Sequence, residues 1–147
     1  MPRELMWGGA TASSQYEGGH TAGGKGLDTQ DVRPWKPRTS DATTETRLLT
    51  ASAVDRAKAD LAAGRGNYPF CRGTRGYDHL QEDIDLLQEL GIDIYRFSIS
   101  WARLYPNGDE AEPCAEGLAY YDRVFSAVKA AGMRTFLTLT HYAVPLH

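Results

Sequence analysis

Two stretches of the chain carry the same pattern of apolar and polar positions. Between Tyr77 and Leu90, Leu80, Ile84 and Leu87 recur at i, i+4 and i+7, while Glu82, Asp83, Asp85 and Glu89 supply the polar remainder. That spacing predicts a helix with one buried face. Gly91 stands where a helix-ending residue belongs. From Ile92 to Ser100 the period changes to two, with Tyr95, Phe97 and Ile99 on one face and Arg96, Ser98 and Ser100 on the other. A strand is predicted there. The pattern then repeats: Tyr121, Val124, Phe125 and Val128 form a second helical stripe, Gly132 closes it, and Thr135 to Thr140 read as another strand. Helices alternating with strands predict βαβ units on a parallel sheet.

The opening is built differently. Leu5-Met6-Trp7 leads into Gly8-Gly9-Ala10-Thr11-Ala12-Ser13-Ser14, then Gln15, Tyr16 and Glu17 before Gly18-Gly19. Small residues bury little apolar area but suit places where backbone passes close to something else. Polar side chains follow at a strand end, where α/β folds place their sites. A tight strand-to-loop connection is the plainer reading of the same residues. An irregular insertion is expected around 20–76. Pro34 and Pro37 flank Trp35 and Lys36, which opposes helix, and residues 41–63 suit a short solvated helix ending at Gly64. So long a connection is usually functional or mobile.

Composition narrows the function classes. The 147 residues carry Lys+Arg 16 against Asp+Glu 19, a formal net charge of −3, with no basic stripe that would argue for nucleic acid. No apolar run approaches the roughly 18 residues of a membrane span. Met1-Pro2-Arg3-Glu4 leads into no signal-like apolar region. Cys71 and Cys114 lie in unrelated contexts, without metal-ligand or redox spacing. Reduced thiols and a cytoplasmic location are therefore expected.

The opening stretch resembles the N-terminal signature of glycoside hydrolase family 1, the β-glucosidase and 6-phospho-β-glucosidase family, with Gln15 and Glu17 at its characteristic positions. Leu5 stands where the family usually has Phe, and Ser14 replaces an Asn or aromatic. Trp7 to Ala12 and Gly23-Gly24-Lys25-Gly26-Leu27 look more like the 6-phospho branch. Tyr95-Arg96-Phe97-Ser98-Ile99-Ser100-Trp101-Ala102-Arg103 is similar to a second family block, and Thr138-Leu139-Thr140-His141-Tyr142-Ala143-Val144-Pro145 to a third, with Ala143 where an acidic residue is usual. The resemblance implies the first three strands and associated helices of a (β/α)8 TIM barrel, left incomplete, since a whole barrel needs about 250 residues. It implies hydrolysis of a β-glucoside or 6-phospho-β-glucoside without metal or cofactor. Gln15 and His141 would bind the sugar, Tyr142 would add a ring or hydroxyl, and Arg96 would keep a nucleophilic glutamate ionised. Trp101 and Arg103 would organise the loop through Pro106-Asn107-Gly108, and Trp35 is a candidate stacking ring.

Residue chemistry alone leaves alternatives open. An arginine on the inner face of a barrel strand must find anionic or hydrogen-bonding partners, and a structural ion pair would serve as well as a site. A lone His after a strand is often a structural hydrogen-bond partner. Strict alternation also places His141 on the face of Leu137 and Leu139, so a bulge or the strand's end must turn it inward. Retaining glycosidases need two carboxyl groups about 5–5.5 Å apart. By resemblance these lie in an Asn-Glu-Pro segment after the fourth strand and beyond the seventh, and neither segment is present here. Glu17 matches a position with a structural role, and Asp109, Glu110 and Glu112 read as a solvated turn. The chain alone is thus expected to be inactive and poorly stable, with an unpaired third strand, and a complementing C-terminal part of the barrel is a possible partner. A non-catalytic sugar-binding or interaction module, a decayed gene fragment, and an open α/β domain of another function are the rivals.

Overall fold

The computed structural model describes residues 5–37 and 48–146. Residues 41–47 of the expected solvated helix and the leader reading of Met1 to Glu4 lie outside them.

Three parallel strands form one sheet in the order β1 (Gly8–Ala10), β2 (Ile94–Ser98) and β3 (Arg134–Thr138). Gly8 pairs with Ile94, and Ile94 with Arg134, so the strands share one register across the sheet. The helices are α1 (Ser13–Tyr16), α2 (Ala51–Ala62), α3 (Pro69–Arg72), α4 (Gly76–Glu89), α5 (Trp101–Leu104) and α6 (Ala115–Ala130). The two striped segments are α4 and α6, and both end at glycines in the left-handed region, Gly91 (φ 70°) and Gly132 (φ 77°). That conformation satisfies the last helical carbonyls without a Cβ clash. The expected solvated helix is α2; Thr50 caps it by accepting from the Ala53 N–H, and only Ala57 is buried.

Period two in β2 divides the sheet as expected. Tyr95 and Phe97 are buried under α4 and α6, joined by Ile84, Tyr120, Tyr121, Val124 and Val128. The opposite face carries Arg96, with Ala10 and Phe136 as its paired neighbours. Phe136 is 61% exposed on that face. A closed barrel would fill this space with side chains from other strands; here three strands make an incomplete barrel with β1 and β3 as edges.

Candidate functional site

The small residues of the opening stretch serve close approach. β1 ends at Ala10, Thr11 continues the pairing by donating its N–H to the Arg96 carbonyl (2.9 Å), and α1 begins two residues later. The Ser98 hydroxyl accepts from the Ser13 N–H (2.8 Å) and donates to the Ser13 hydroxyl (3.1 Å), which seats α1 on the end of β2. Gln15, exposed on this one-turn helix, is thereby held beside the inner face of β2.

Arg96 points across that face and donates from Nε to the Thr138 hydroxyl at 3.0 Å. His141 follows the end of β3. Because the strand stops at Thr138, alternation ends there: Leu137 packs on the core, Leu139 is 61% exposed, and His141 turns to the Arg96 side. The Trp101 indole fixes this exit by donating to the Leu139 carbonyl (2.6 Å) and the Thr140 hydroxyl (3.2 Å). The strand's end thus accounts for the inward turn.

Gln15, Arg96 and His141 therefore line one open cleft of about 180 Å³, together with Thr11, Ser98 and Thr138. An amide, a guanidinium, an imidazole and hydroxyls converge there, and among the described residues no carboxylate or thiol lines it. The His141 Nδ1 is buried without a hydrogen-bond partner among the described residues, unlike most buried polar atoms. Tyr142 is placed differently: its ring meets His141 edge-on at 4.7 Å, but it is 74% exposed and outside the cleft lining. Trp35 is also outside it, 59% exposed.

The carboxylate nearest in sequence to Gln15 is Glu17, and it is spent on structure. Its Oε2 accepts from Arg103 Nε (3.0 Å) and its Oε1 from the Tyr121 hydroxyl (2.7 Å), which itself accepts the Ser100 N–H (2.6 Å). Arg103 is fully buried, gives its other nitrogens to the Gly18 and Ala22 carbonyls (3.1 Å each), and lies over the Tyr77 and Tyr120 rings. Burial pushes the Glu17 pKa above the usual carboxylate range, with Arg103 and Tyr121 pulling it back, and burial also pushes the Tyr121 hydroxyl up. Arg103 therefore ties the loop after β1 to α5 rather than organising residues 106–108. That loop is held by Glu110, whose carboxylate accepts from the Asn107 and Gly108 N–H groups.

Sequence reasoning passed over a third cluster. Lys25, nearly buried, pairs with Asp31 and with Asp28 (3.1 Å). Burial raises the Asp31 pKa, against the pull of Lys25. The signal was present as three charges at spacings of three within a glycine-rich segment. Among the described residues, no group of three or more His, Cys, Asp or Glu could hold a metal ion, and no helix is long and apolar enough to cross a membrane.

A parallel sheet backed by α4 and α6, with polar side chains converging at and beyond its carboxyl ends, defines an α/β protein, and the cleft lies on the side where such folds bind ligands. The family model for glycosyl hydrolase family 1 matches residues 1–147, and the chain belongs to that family. It is 38% identical to the aryl-phospho-β-D-glucosidase BglA of Bacillus subtilis, over 100% of this chain and 28% of that protein. It is 36% identical to the 6-phospho-β-glucosidase AscB of Escherichia coli, over 99% of this chain and 29% of that protein. The solved family 1 β-glucosidase from Thermotoga maritima superposes with a TM-score of 0.71 at 28% identity, covering 99% of this chain and 27% of that one. The chain thus spans less than a third of the length of these relatives.

Proposed function

We propose that the cleft of Gln15, Arg96 and His141 is the sugar-binding part of a retaining β-glycosidase site acting on β-glucosides or 6-phospho-β-glucosides. The convergence of these three side chains, from α1 after β1, from β2 itself and from the segment after β3, carries the reading. Gln15 and His141 hold sugar hydroxyls, since both side chains line the cleft. The Arg96 charge favours the ionised form of a nucleophilic carboxylate brought against it. The acid/base and nucleophile come from polypeptide outside these 147 residues, since no carboxylate lines the cleft among the described residues and Glu17 is committed to Arg103 and Tyr121. On this reading the chain is one portion of a single barrel domain, completed by the rest of the barrel, and inactive alone. The two relatives named for phosphorylated glucosides favour the phosphorylated sugar. Two free cysteines suit the reducing cytoplasm.

Absence of a carboxylate from the cleft also suits a second reading, a sugar-binding module without catalysis. The test has two parts. The isolated chain is incubated with 4-nitrophenyl β-D-glucoside and its 6-phosphate, and no nitrophenol release is expected; release would sink the claim that the carboxylates lie elsewhere. Saturation-transfer NMR with methyl β-D-glucopyranoside is then expected to show contact that Gln15→Ala and His141→Ala each weaken. Contact untouched by both substitutions would remove the sugar from this cleft.

A further inference from the structure

The direction of His141 has a second cause beyond the end of β3. Tyr142, the residue after it, has φ 63°, one of two non-glycine residues with positive φ among the described residues. The Ala143 N–H donates to the His141 carbonyl across it at 2.8 Å. An i→i+2 bond spanning a positive φ is the arrangement of the rare, strained γ-turn. For a bulky aromatic such a conformation persists only where the surroundings over-determine it. The ring itself supplies little, being 74% exposed.

The backbone around the turn is gripped instead by Thr29. Its hydroxyl donates to the Tyr142 carbonyl at 2.9 Å and accepts the Val144 N–H at 3.3 Å, and its own N–H donates to the Val144 carbonyl at 2.9 Å. Three hydrogen bonds from one residue thus bracket the strained position. Thr29 is itself fixed. Asp28 pairs as an antiparallel bridge with Pro145, and the Leu27 carbonyl accepts the Leu146 N–H at 2.9 Å. Behind it, the Asp28 carboxylate accepts the N–H groups of Gln30 (2.7 Å) and Asp31 (3.1 Å) while Lys25 binds both acids. The segment gripping the turn is therefore rigid on its own account.

We infer that Thr29 is a positioning residue for His141: through its hydroxyl it holds the strained turn at Tyr142 that keeps the imidazole in the cleft with Gln15 and Arg96. The ion cluster of Lys25, Asp28 and Asp31 is the anchor of this device, and the loop after β1 sets the geometry at the end of β3. The inference deepens the sugar-binding reading and rests on it only for the purpose His141 is held for. Its test reads the position of His141 without sugar, so its failure and the failure of that reading are distinguishable.

The experiment follows the ring-nitrogen resonances of His141 in the ¹⁵N-labelled chain, identified by their loss in His141→Gln. Hydrogen exchange across residues 140–146 is read alongside by mass spectrometry, at concentrations dilute enough to avoid association. Thr29→Val keeps the shape and the N–H but removes the hydroxyl. It is expected to shift the His141 resonances and to speed exchange of the segment about tenfold or more, the loss expected for one hydrogen bond of ordinary strength. Thr29→Ser is expected to restore both. In a Tyr142→Gly background, where positive φ is free of strain, Thr29→Val is expected to have a much smaller effect. The inference is overturned by His141 signals and exchange rates that Thr29→Val leaves unchanged. It is equally overturned by a Ser variant no closer to the parent than the Val variant, by an undiminished effect in the Gly background, or by a parent segment that exchanges at the unprotected rate. A Thr29→Val chain with no dispersed spectrum is decided by the exchange comparison and by the Ser and Gly variants.

Discussion

Arg96 and Arg103 lie on consecutive elements of one βα connection, yet they are opposite kinds of arginine. Arg103 is fully buried, and its guanidinium is satisfied by Glu17 and two carbonyls and covered by two tyrosine rings. Arg96 is exposed in the cleft and, among the described residues, makes one hydrogen bond, from Nε to the Thr138 hydroxyl. The same contrast runs through the opening stretch, where Glu17 is buried in the Arg103 knot and Gln15 stands open two residues earlier. A saturated polar group holds the fold together and has nothing left for a ligand. An unsaturated one beside a cleft has capacity to bind. The difference marks Glu17 as a structural carboxylate more firmly than its place in a motif does.

The largest effect that tests this contrast is expected from Arg103→Met. Removing one partner of a buried ion pair leaves the other charge uncompensated and costs about 3–5 kcal/mol. Set against domain stabilities of about 5–15 kcal/mol, that is enough to leave much of the chain unfolded. Urea unfolding followed by far-UV circular dichroism measures it; a midpoint unchanged from the parent would show the knot to be dispensable. Tyr121→Phe comes next. It strips a donor from Glu17 and an acceptor from the Ser100 N–H, both buried, for an expected loss of about 1–3 kcal/mol. Tyr120→Phe serves as the control, since no hydrogen bond involves the Tyr120 hydroxyl among the described residues.

How much of this was legible beforehand follows the physics of each element. Period two in residues 94–98 and the two apolar stripes gave the sheet faces, because those patterns are set locally by backbone geometry. The second stripe of the structure includes Tyr120, 1% exposed, and has Phe125 at its margin, 37% exposed beside Phe97. Gln15, Arg96 and His141 could be named from the sequence, but their convergence could not, since it depends on a strand that stops at Thr138 and on a positive φ at Tyr142. Alternation alone sent His141 to the wrong face. Sequence neighbours point Arg103 to the loop through Pro106–Gly108, whereas its partner Glu17 lies in a segment brought near only by the parallel pairing of β1 and β2. The Lys25 cluster is visible in the sequence as three charges spaced by three, but its burial is not, because that depends on the tertiary packing around it.

The pH dependence sharpens the comparison at smaller scale. Burial sets the folded pKa of Glu17 above its ordinary value of 4.5. The folded state then holds that proton more tightly than the unfolded chain. Stability from this group is present below the unfolded pKa and is lost as pH rises through the raised folded value. Glu17→Gln does not titrate. The expected result is a parent unfolding midpoint that falls, relative to that of Glu17→Gln, between pH 4 and pH 7. A parent midpoint that rises relative to the variant over that range would mean that Arg103 and Tyr121 outweigh burial and hold the carboxyl below 4.5.

The smallest effect on stability belongs to Arg96→Met. An exposed side chain with one hydrogen bond should change stability by no more than about 0.5 kcal/mol, so the urea midpoint should barely move. The methionine keeps much of the unbranched stem and removes the charge, so any change in sugar contact by saturation-transfer NMR reports on the guanidinium alone. Near-silence in unfolding together with altered contact is what an arginine kept for a ligand should give. A loss as large as that of Arg103→Met would place Arg96 with the structural arginines, and the distinction between the two sides of this βα connection would collapse.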